Sequence, residues 1–358
     1  MIQFERVSDD IYIFTSAVYA HVTAGAIISP IGTVLIDTLP FPTETKKIKD
    51  FIEGRLGSTV RYVINTHYHA DHTYGTYLFP QAHVVAHARC RDLLDNRGRA
   101  GLAVAKEESP DLDDVQIVLP DIIFETGELN LHLGNKILTL SHSPGHSPDS
   151  ITVLIRGDRV LFAADTIMPV PFVPDGDVDE MIASLEKILK LDVEYVVQGH
   201  GEVILRGEVA SSVKANIKYL RAIRRKVISV LRRGKPVEEL ESVDIESMGK
   251  SKIALTGLAP ALHHRNLVSL YERMEGTVEN TASNSARKKR TVRKKTSAKK
   301  KSTARTNAKK KAASKYARKK RTVRKKTSAK KKSTARTNAK KKPTTRKKTS
   351  VKKKPATQ

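Results

Sequence analysis

Four potential metal ligands stand within six residues in His67-x-His69-x-Asp71-His72, directly after the apolar run Val60–Ile64. Two histidines spaced by two on extended chain point to one side, and the turn that follows brings Asp71 and His72 toward a neighbouring position. A single histidine is ordinarily a satisfied core or surface residue, but packing offers no reason to gather four such groups. Three later residues extend the set. His146 sits in the tight turn Ser143-Pro-Gly-His-Ser-Pro148, Asp165 ends Val160-Leu-Phe-Ala-Ala, and His200 lies in Gly199-His-Gly201. Each follows a predicted strand and is flanked by small or turn residues that leave room for an ion. Five imidazoles and two carboxylates suffice for two divalent cations. The nitrogen and oxygen donors suit zinc, with iron or manganese as alternatives.

These residues need strand ends to hold them. Ile11–Thr15, Gly25–Ser29, Thr33–Asp37 and Val60–Ile64 read as strands rich in β-branched residues, with Pro30-Ile31-Gly32 a hairpin turn. Thr43–Leu56 reads as a helix with Ile48, Phe51 and Ile52 on one face. A short helix to Phe79, a strand at His83–Ala86 and a helix near Arg89–Asn96 follow. Gly98–Pro120 reads as irregular, a lid or surface insertion. Strands resume at Leu129–Leu133, Lys136–Leu140, Ile151–Arg156 and Arg159–Ala164. An Asp177-capped helix then precedes the strand Glu194–Val197. From Glu208 an apolar stripe through Val213, Ile217, Leu220 and Val227 marks a long helix whose Lys/Arg face reads as solvated, and His263–Met274 marks another. This order fits two packed sheets with helices outside. It does not fit a Rossmann alternation, and neither a Gly-x-Gly-x-x-Gly nor a P-loop occurs.

The charge is divided. Of 358 residues, 65 are Lys/Arg and 38 Asp/Glu, a formal net charge of +27. Thr281–Gln358 holds 35 of the Lys/Arg and no acid, so residues 1–280, with 30 Lys/Arg and 38 Asp/Glu, carry −8. One uniformly basic fold is excluded. The basic tail repeats itself: Ala286–Lys311 recurs unchanged as Ala317–Lys342. With no Leu, Ile, Phe or Met to bury, it is expected to be disordered alone and to bind polyanions, nucleic acid first, without reading sequence. Arg287, Lys288, Lys289, Arg290 and their repeats Arg318, Lys319, Lys320, Arg321 are its candidate contacts. The tail also resembles linker-histone C-terminal tails. All twelve histidines can be found before it. The one cysteine, Cys90, cannot form an intramolecular disulfide. Neither a secretory signal nor an apolar run of membrane-spanning length is seen, so the expectation is a soluble cytoplasmic protein associated with nucleoid or chromatin.

Taken together, the motifs resemble the metallo-β-lactamase-fold hydrolases over about residues 5–205. The resemblance implies a four-layer αββα sandwich (α/β in the α+β sense) followed by C-terminal helices and a disordered basic tail. It implies that His67, His69 and His146 hold one metal, that Asp71, His72 and His200 hold the second, that Asp165 bridges, and that Asp37 supports the ligand loops. The commonest zinc β-lactamases carry Cys where Asp165 stands, which turns the resemblance toward the esterase, thioesterase, lactonase and phosphodiesterase branches. The domain expectation is a catalytic domain over 1–206, a helical extension packing on it over 207–280, and the tail over 281–358.

The resulting functional expectation is hydrolysis of a small ester, thioester or lactone by hydroxide on a dinuclear zinc centre, since two close cations acidify a shared water to near neutrality. Asp71 is the candidate catalytic residue, orienting the hydroxide and moving a proton. A nuclease or phosphodiesterase fed by the tail is the alternative, and an iron-dependent sulfur dioxygenase of the same fold another. The acidic body favours the first. His21 reads as a surface histidine or one that reaches the pocket mouth, and His142 as exposed or as supporting the ligands. Ile167–Pro174 reads as a pocket wall or as loop packing.

Overall fold

A computed structural model of the protein describes residues 2–276 and 306–321. Thirteen strands form two sheets within the first of these segments. In the first lie β1 (Gln3–Ser8), β2 (Ile11–Thr15), β3 (Thr23–Ser29), β4 (Gly32–Ile36), β5 (Val60–Ile64), β6 (His83–His87) and β7 (Ile122–Phe124), ordered as in the chain. Neighbours are antiparallel through β4 and parallel from β4 to β7. The second sheet runs β13-β12-β11-β10-β9-β8, from β8 (Glu128–Leu133), β9 (Lys136–His142), β10 (Ile151–Ile155) and β11 (Val160–Ala164) to β12 (Tyr195–Gln198) and β13 (Ile204–Leu205). Only its β11–β12 pair is parallel.

Strand periodicity explains the layers. On β4, Val34 and Ile36 enter the core between the sheets while Leu35 enters the core outside; on β11, Val160 and Phe162 point between and Leu161 and Ala163 outside. Side chains alternate across a strand, so central strands covered on both faces read as unbroken apolar runs. The outer face of the first sheet is covered by α1 (Pro42–Lys49), which continues in π-helical turns over Asp50–Arg55. That of the second is covered by α2 (Val178–Ile188), α3 (Arg206–Arg232) and a helix over 259–276. The αββα sandwich expected from the resemblance is the architecture found. Leu267 and Leu270 of the 259–276 helix share one core with Val213 and Leu220 of α3 and with Val196 of β12. The first compact unit of the chain runs to Glu279.

Gly98–Pro120 departs from the irregular reading. It contains a helix, Arg99–Glu108, followed by a 3-10 turn at Pro110–Leu112. Leu102 faces a small core with Tyr74, Leu112 and Val115. Gly101 lies in this helix, and a Cβ there would meet nothing within 4 Å. Gly101→Ala is therefore expected to stabilise the fold by ~0.5–1 kcal/mol, seen as a higher urea midpoint. A lower midpoint would contradict the helix.

In the second unit, residues 306–321 form one helix with every residue exposed. Its Ala, Lys and Arg content gives it high intrinsic propensity. Arg318, Lys319, Lys320 and Arg321 lie on it; Arg287, Lys288, Lys289, Arg290 and most of the tail expected to be disordered lie outside the described residues.

Candidate metal centre

The ligand candidates converge where strands end. β5 runs into His67, β9 leads to the turn bearing His146, β11 ends one residue before Asp165 and β12 two residues before His200. Donor atoms of His67, His69, His146 and Asp165 lie within 4.8 Å of one another, as do those of Asp71, His72 and His200. Asp165 faces both groups. Its Oδ2 is 3.3 Å from His146 Nε2 and 3.5 Å from His200 Nε2, and its Oδ1 is 3.3 Å from His72 Nε2.

Hydrogen bonds behind the rings fix which nitrogen looks inward. Asp37, just after β4 with a left-handed φ of 57°, accepts from His72 Nδ1 at 2.8 Å and from both Thr66 N and Thr66 Oγ1. Thr66 Oγ1, its proton given to Asp37, accepts from His67 Nδ1 at 3.1 Å. His146 Nδ1 donates to the Phe172 carbonyl at 2.8 Å, and His200 Nδ1 to the Ala20 carbonyl at 2.9 Å. In each of these four rings the outer nitrogen is engaged as a donor, so Nε2 is the nitrogen turned to the centre and the one left to ligate a metal once it carries no proton. His69 is turned the other way: Nδ1 lies 3.1 Å from His67 Nε2 and 2.9 Å from His146 Nε2, while Nε2 faces Asp175 Oδ2 at 3.6 Å.

Two of the inner atoms lack hydrogen-bond partners of their own. His72 Nε2 and Asp165 Oδ1 are buried without a hydrogen bond, an arrangement that is costly unless something else satisfies them. A divalent cation would, and the donor set fits one at each cluster.

Electrostatics agree. Burial alone would lower His72, but Asp165, Asp71 and Asp37 outweigh it and hold the ring well above the ordinary imidazole value. His200 is likewise raised to about 10 against burial by Asp165 and Asp71. Burial drives His146 down to about 4 and His67 well below the ordinary value, with neighbouring imidazoles adding repulsion. Asp165 is depressed despite burial, chiefly by His200 and His72. Protons on His72 and His200 therefore occupy the places a cation would take, so metal binding at this site must release them.

Several neighbours were not legible in the sequence. Asp175 accepts from Tyr68 OH and from Arg97 Nη1 while facing His69. The β2–β3 loop bends through left-handed Ala20 and His21, aiming the Ala20 carbonyl at His200, and the His21 carbonyl accepts from Gly201 N at 2.9 Å. His21 is thus half-buried rather than a plain surface residue. His142 stacks on His87 with ring centroids 4.1 Å apart and supports the turn by donating to the Pro148 carbonyl. Tyr19 is pushed up to about 12 by the Asp71 carboxylate, by burial and by Asp165, which places its phenol at the same site. Its ring meets Phe41 edge-on at 6.2 Å. Ile167–Pro174 is packed as a loop: Ile167, Val170 and Val173 lie in the core, and Phe172 turns its carbonyl and ring toward His146.

A family model described as the metallo-beta-lactamase superfamily matches residues 21–200. Among curated proteins, a beta-lactamase-like protein 2 homolog of Caenorhabditis elegans is 25% identical over 248 residues, 69% of this chain and 77% of that protein. The human acyl-coenzyme A thioesterase MBLAC2 is 29% identical over 154 residues, 38% of this chain, and the match spans about half of that protein, 54%. A type 2 metallo-beta-lactamase of Bacillus cereus is 29% identical over 184 residues, 49% of this chain and 65% of that protein. Among solved structures, a stereoselective inverting sec-alkylsulfatase from Pseudomonas sp. superposes with a TM-score of 0.61 at 16% identity, over 76% of this chain and 50% of that one. That likeness concerns the fold alone.

Proposed function

The chain belongs to the metallo-beta-lactamase superfamily and is a hydrolase of that fold, and from that premise we propose that it hydrolyses a small ester, thioester or lactone at a dinuclear metal centre. The observation that carries the reading is Asp165, one carboxylate shared by two donor clusters whose ring nitrogens turn toward it. His67, His69 and His146 would hold one cation and Asp71, His72 and His200 the other, with Asp165 common to both. Zinc suits these donors best. Two such cations supply Lewis acidity and acidify water toward neutral pH.

The chain's own residues do the rest. Asp71, its Oδ2 3.3 Å from His200 Nε2, keeps some solvent exposure and stays deprotonated, because His72 and His200 outweigh its burial. It is placed to orient attacking water and accept its proton. Asp37, Thr66 and the Phe172 and Ala20 carbonyls hold the imidazoles in register throughout. The thioesterase among the relatives supports the same substrate class.

The tail, in this reading, tethers the enzyme to nucleic acid through contacts such as Arg287, Lys288, Lys289, Arg290, Arg318, Lys319, Lys320 and Arg321, while the acidic body does the chemistry. Among the described residues no helix is long and apolar enough to cross a membrane. The test compares the full chain with a 1–280 truncation for bound metal, turnover of aryl ester, acyl thioester, lactone and phosphodiester, and DNA binding against salt. Truncation should leave small-ester turnover intact and abolish DNA binding. In the full chain, engagement of those eight cations alone gives a log–log salt slope of about −7. Loss of ester hydrolysis on truncation, or turnover of phosphodiesters alone, would sink the tethered-hydrolase reading. Iron with oxygen uptake would point to the dioxygenase instead.

A further inference from the structure

The helix over 259–276 reaches the metal centre through one carboxamide. Asn266 is fully buried and straddles Phe172. Its Nδ2 donates to the Pro171 carbonyl at 2.7 Å, and its Oδ1 accepts from Val173 N at 2.9 Å. The residue between them, Phe172, offers the carbonyl that receives the His146 Nδ1 proton at 2.8 Å. A carbonyl can only accept, so this bond decides the His146 tautomer and leaves Nε2 facing His69 Nδ1 at 2.9 Å and Asp165 Oδ2 at 3.3 Å.

Asn266 is itself held without ambiguity. The Val243 carbonyl accepts from His263 Nε2 at 3.1 Å, so His263 Nδ1 is an acceptor and takes the Tyr219 hydroxyl proton at 2.9 Å. Tyr219 oxygen is then free to accept the second Asn266 Nδ2 proton, at 3.1 Å. Every proton in the chain Val243–His263–Tyr219–Asn266 is accounted for, and the carboxamide cannot flip without losing bonds on both sides. The same helix grips the neighbouring backbone elsewhere, with Arg273 Nη2 donating to the Val173 carbonyl at 2.8 Å. Those contacts hold the loop, but among the described residues only Asn266 pins both flanks of Phe172.

We propose that Asn266 is a positioning residue for the metal centre: by clamping Pro171 and Val173 it holds the Phe172 carbonyl that sets the tautomer and aim of His146. The C-terminal helices thereby complete the first cluster rather than merely covering the sheet. This rests on the reading that His146 ligates metal. Partners behind a ligating histidine typically govern affinity by about 10–100-fold.

The test uses the full chain with Co2+ as probe. Asn266→Leu keeps the volume and removes both clamps; Asn266→Asp keeps the bond from Val173 N and loses the one to Pro171 O. Asn266→Leu should fold yet bind the first-cluster Co2+ about 10–100-fold more weakly, with the other Co2+ unaffected. Asn266→Asp should show a smaller loss in the same direction, and it decides the matter if the Leu variant fails to fold. In metal-free protein, ring 15N shifts of His146 should report a pure Nδ1–H tautomer in the parent and a mixture in the variants. Parental Co2+ affinity together with an unchanged His146 tautomer in the folded variants would overturn the proposal. A parent chain that binds no Co2+ would instead overturn the metal reading, and the tautomer comparison would still decide what Asn266 does.

Discussion

Asp165→Ala is expected to lower ester hydrolysis by about 10³-fold, the rate equivalent of the several kcal/mol a Lewis-acid cation contributes. Among the described residues no other side chain faces both clusters: its two oxygens lie within 3.5 Å of His72, His146 and His200 Nε2. Without the carboxylate, nothing holds two cations as neighbours, and bound metal should fall below two per chain. The fold should survive. The variant loses a buried carboxylate that lacks a hydrogen bond at Oδ1, and His72 and His200 can shed the protons that Asp165 now helps to keep on them. Calorimetry separates these effects. Zinc at a hundred times its dissociation constant should raise the parent's stability by about 2.7 kcal/mol per site, and the variant's by markedly less. An Asp165→Ala protein with two tightly bound metals and parental turnover would remove the basis of the functional reading.

Gly199→Ala should be nearly as damaging for a different reason. A Cβ at Gly199 would fall 1.8 Å from Asp165 Oδ1 and 2.7 Å from both the Ala164 carbonyl carbon and Asp165 N. A flexible side chain could move aside, but here the backbone of Ala164–Asp165 is in the way, and Gly199 N is bonded to the Ala164 carbonyl at 2.8 Å. The end of β12 must part from the end of β11, shifting His200 and the carboxylate together. A destabilisation of about 1–3 kcal/mol is expected from overpacking, with metal content and turnover lost. Gly207→Ala is the matched control, since a Cβ there meets nothing within 4 Å. Equal unfolding midpoints and equal metal content in the two variants would show that close packing at Gly199 is not what places the carboxylate.

Much of the scaffold was readable because its signals are local. Alternation along Ile11–Phe14 and Val160–Ala163 follows from a two-residue repeat that both sheet faces exploit. The Asp177 cap announced α2, and its Oδ1 does accept from Asp179 N and Glu180 N. Arg99–Glu108 was not legible because part of the core that Leu102 joins comes from Tyr74, 28 residues earlier in the chain. Asp175 and Asn266 escaped for the same reason. An acid after proline and an asparagine in a helix carry no mark of the rings or carbonyls they will meet.

By itself, the sequence determined the kinds of donor, the strand ends that carry them and the division between an acidic body and a basic tail. Residue type and short-range spacing suffice for those. Only the tertiary structure decided which nitrogen of each imidazole faces inward, because that depends on acceptors far away in the chain: Phe172 for His146, Ala20 for His200, Asp37 for His72. It also decided that one carboxylate serves both clusters and that a C-terminal helix holds the loop behind them. Ligand identity is written in the chain, whereas ligand orientation is a property of packing.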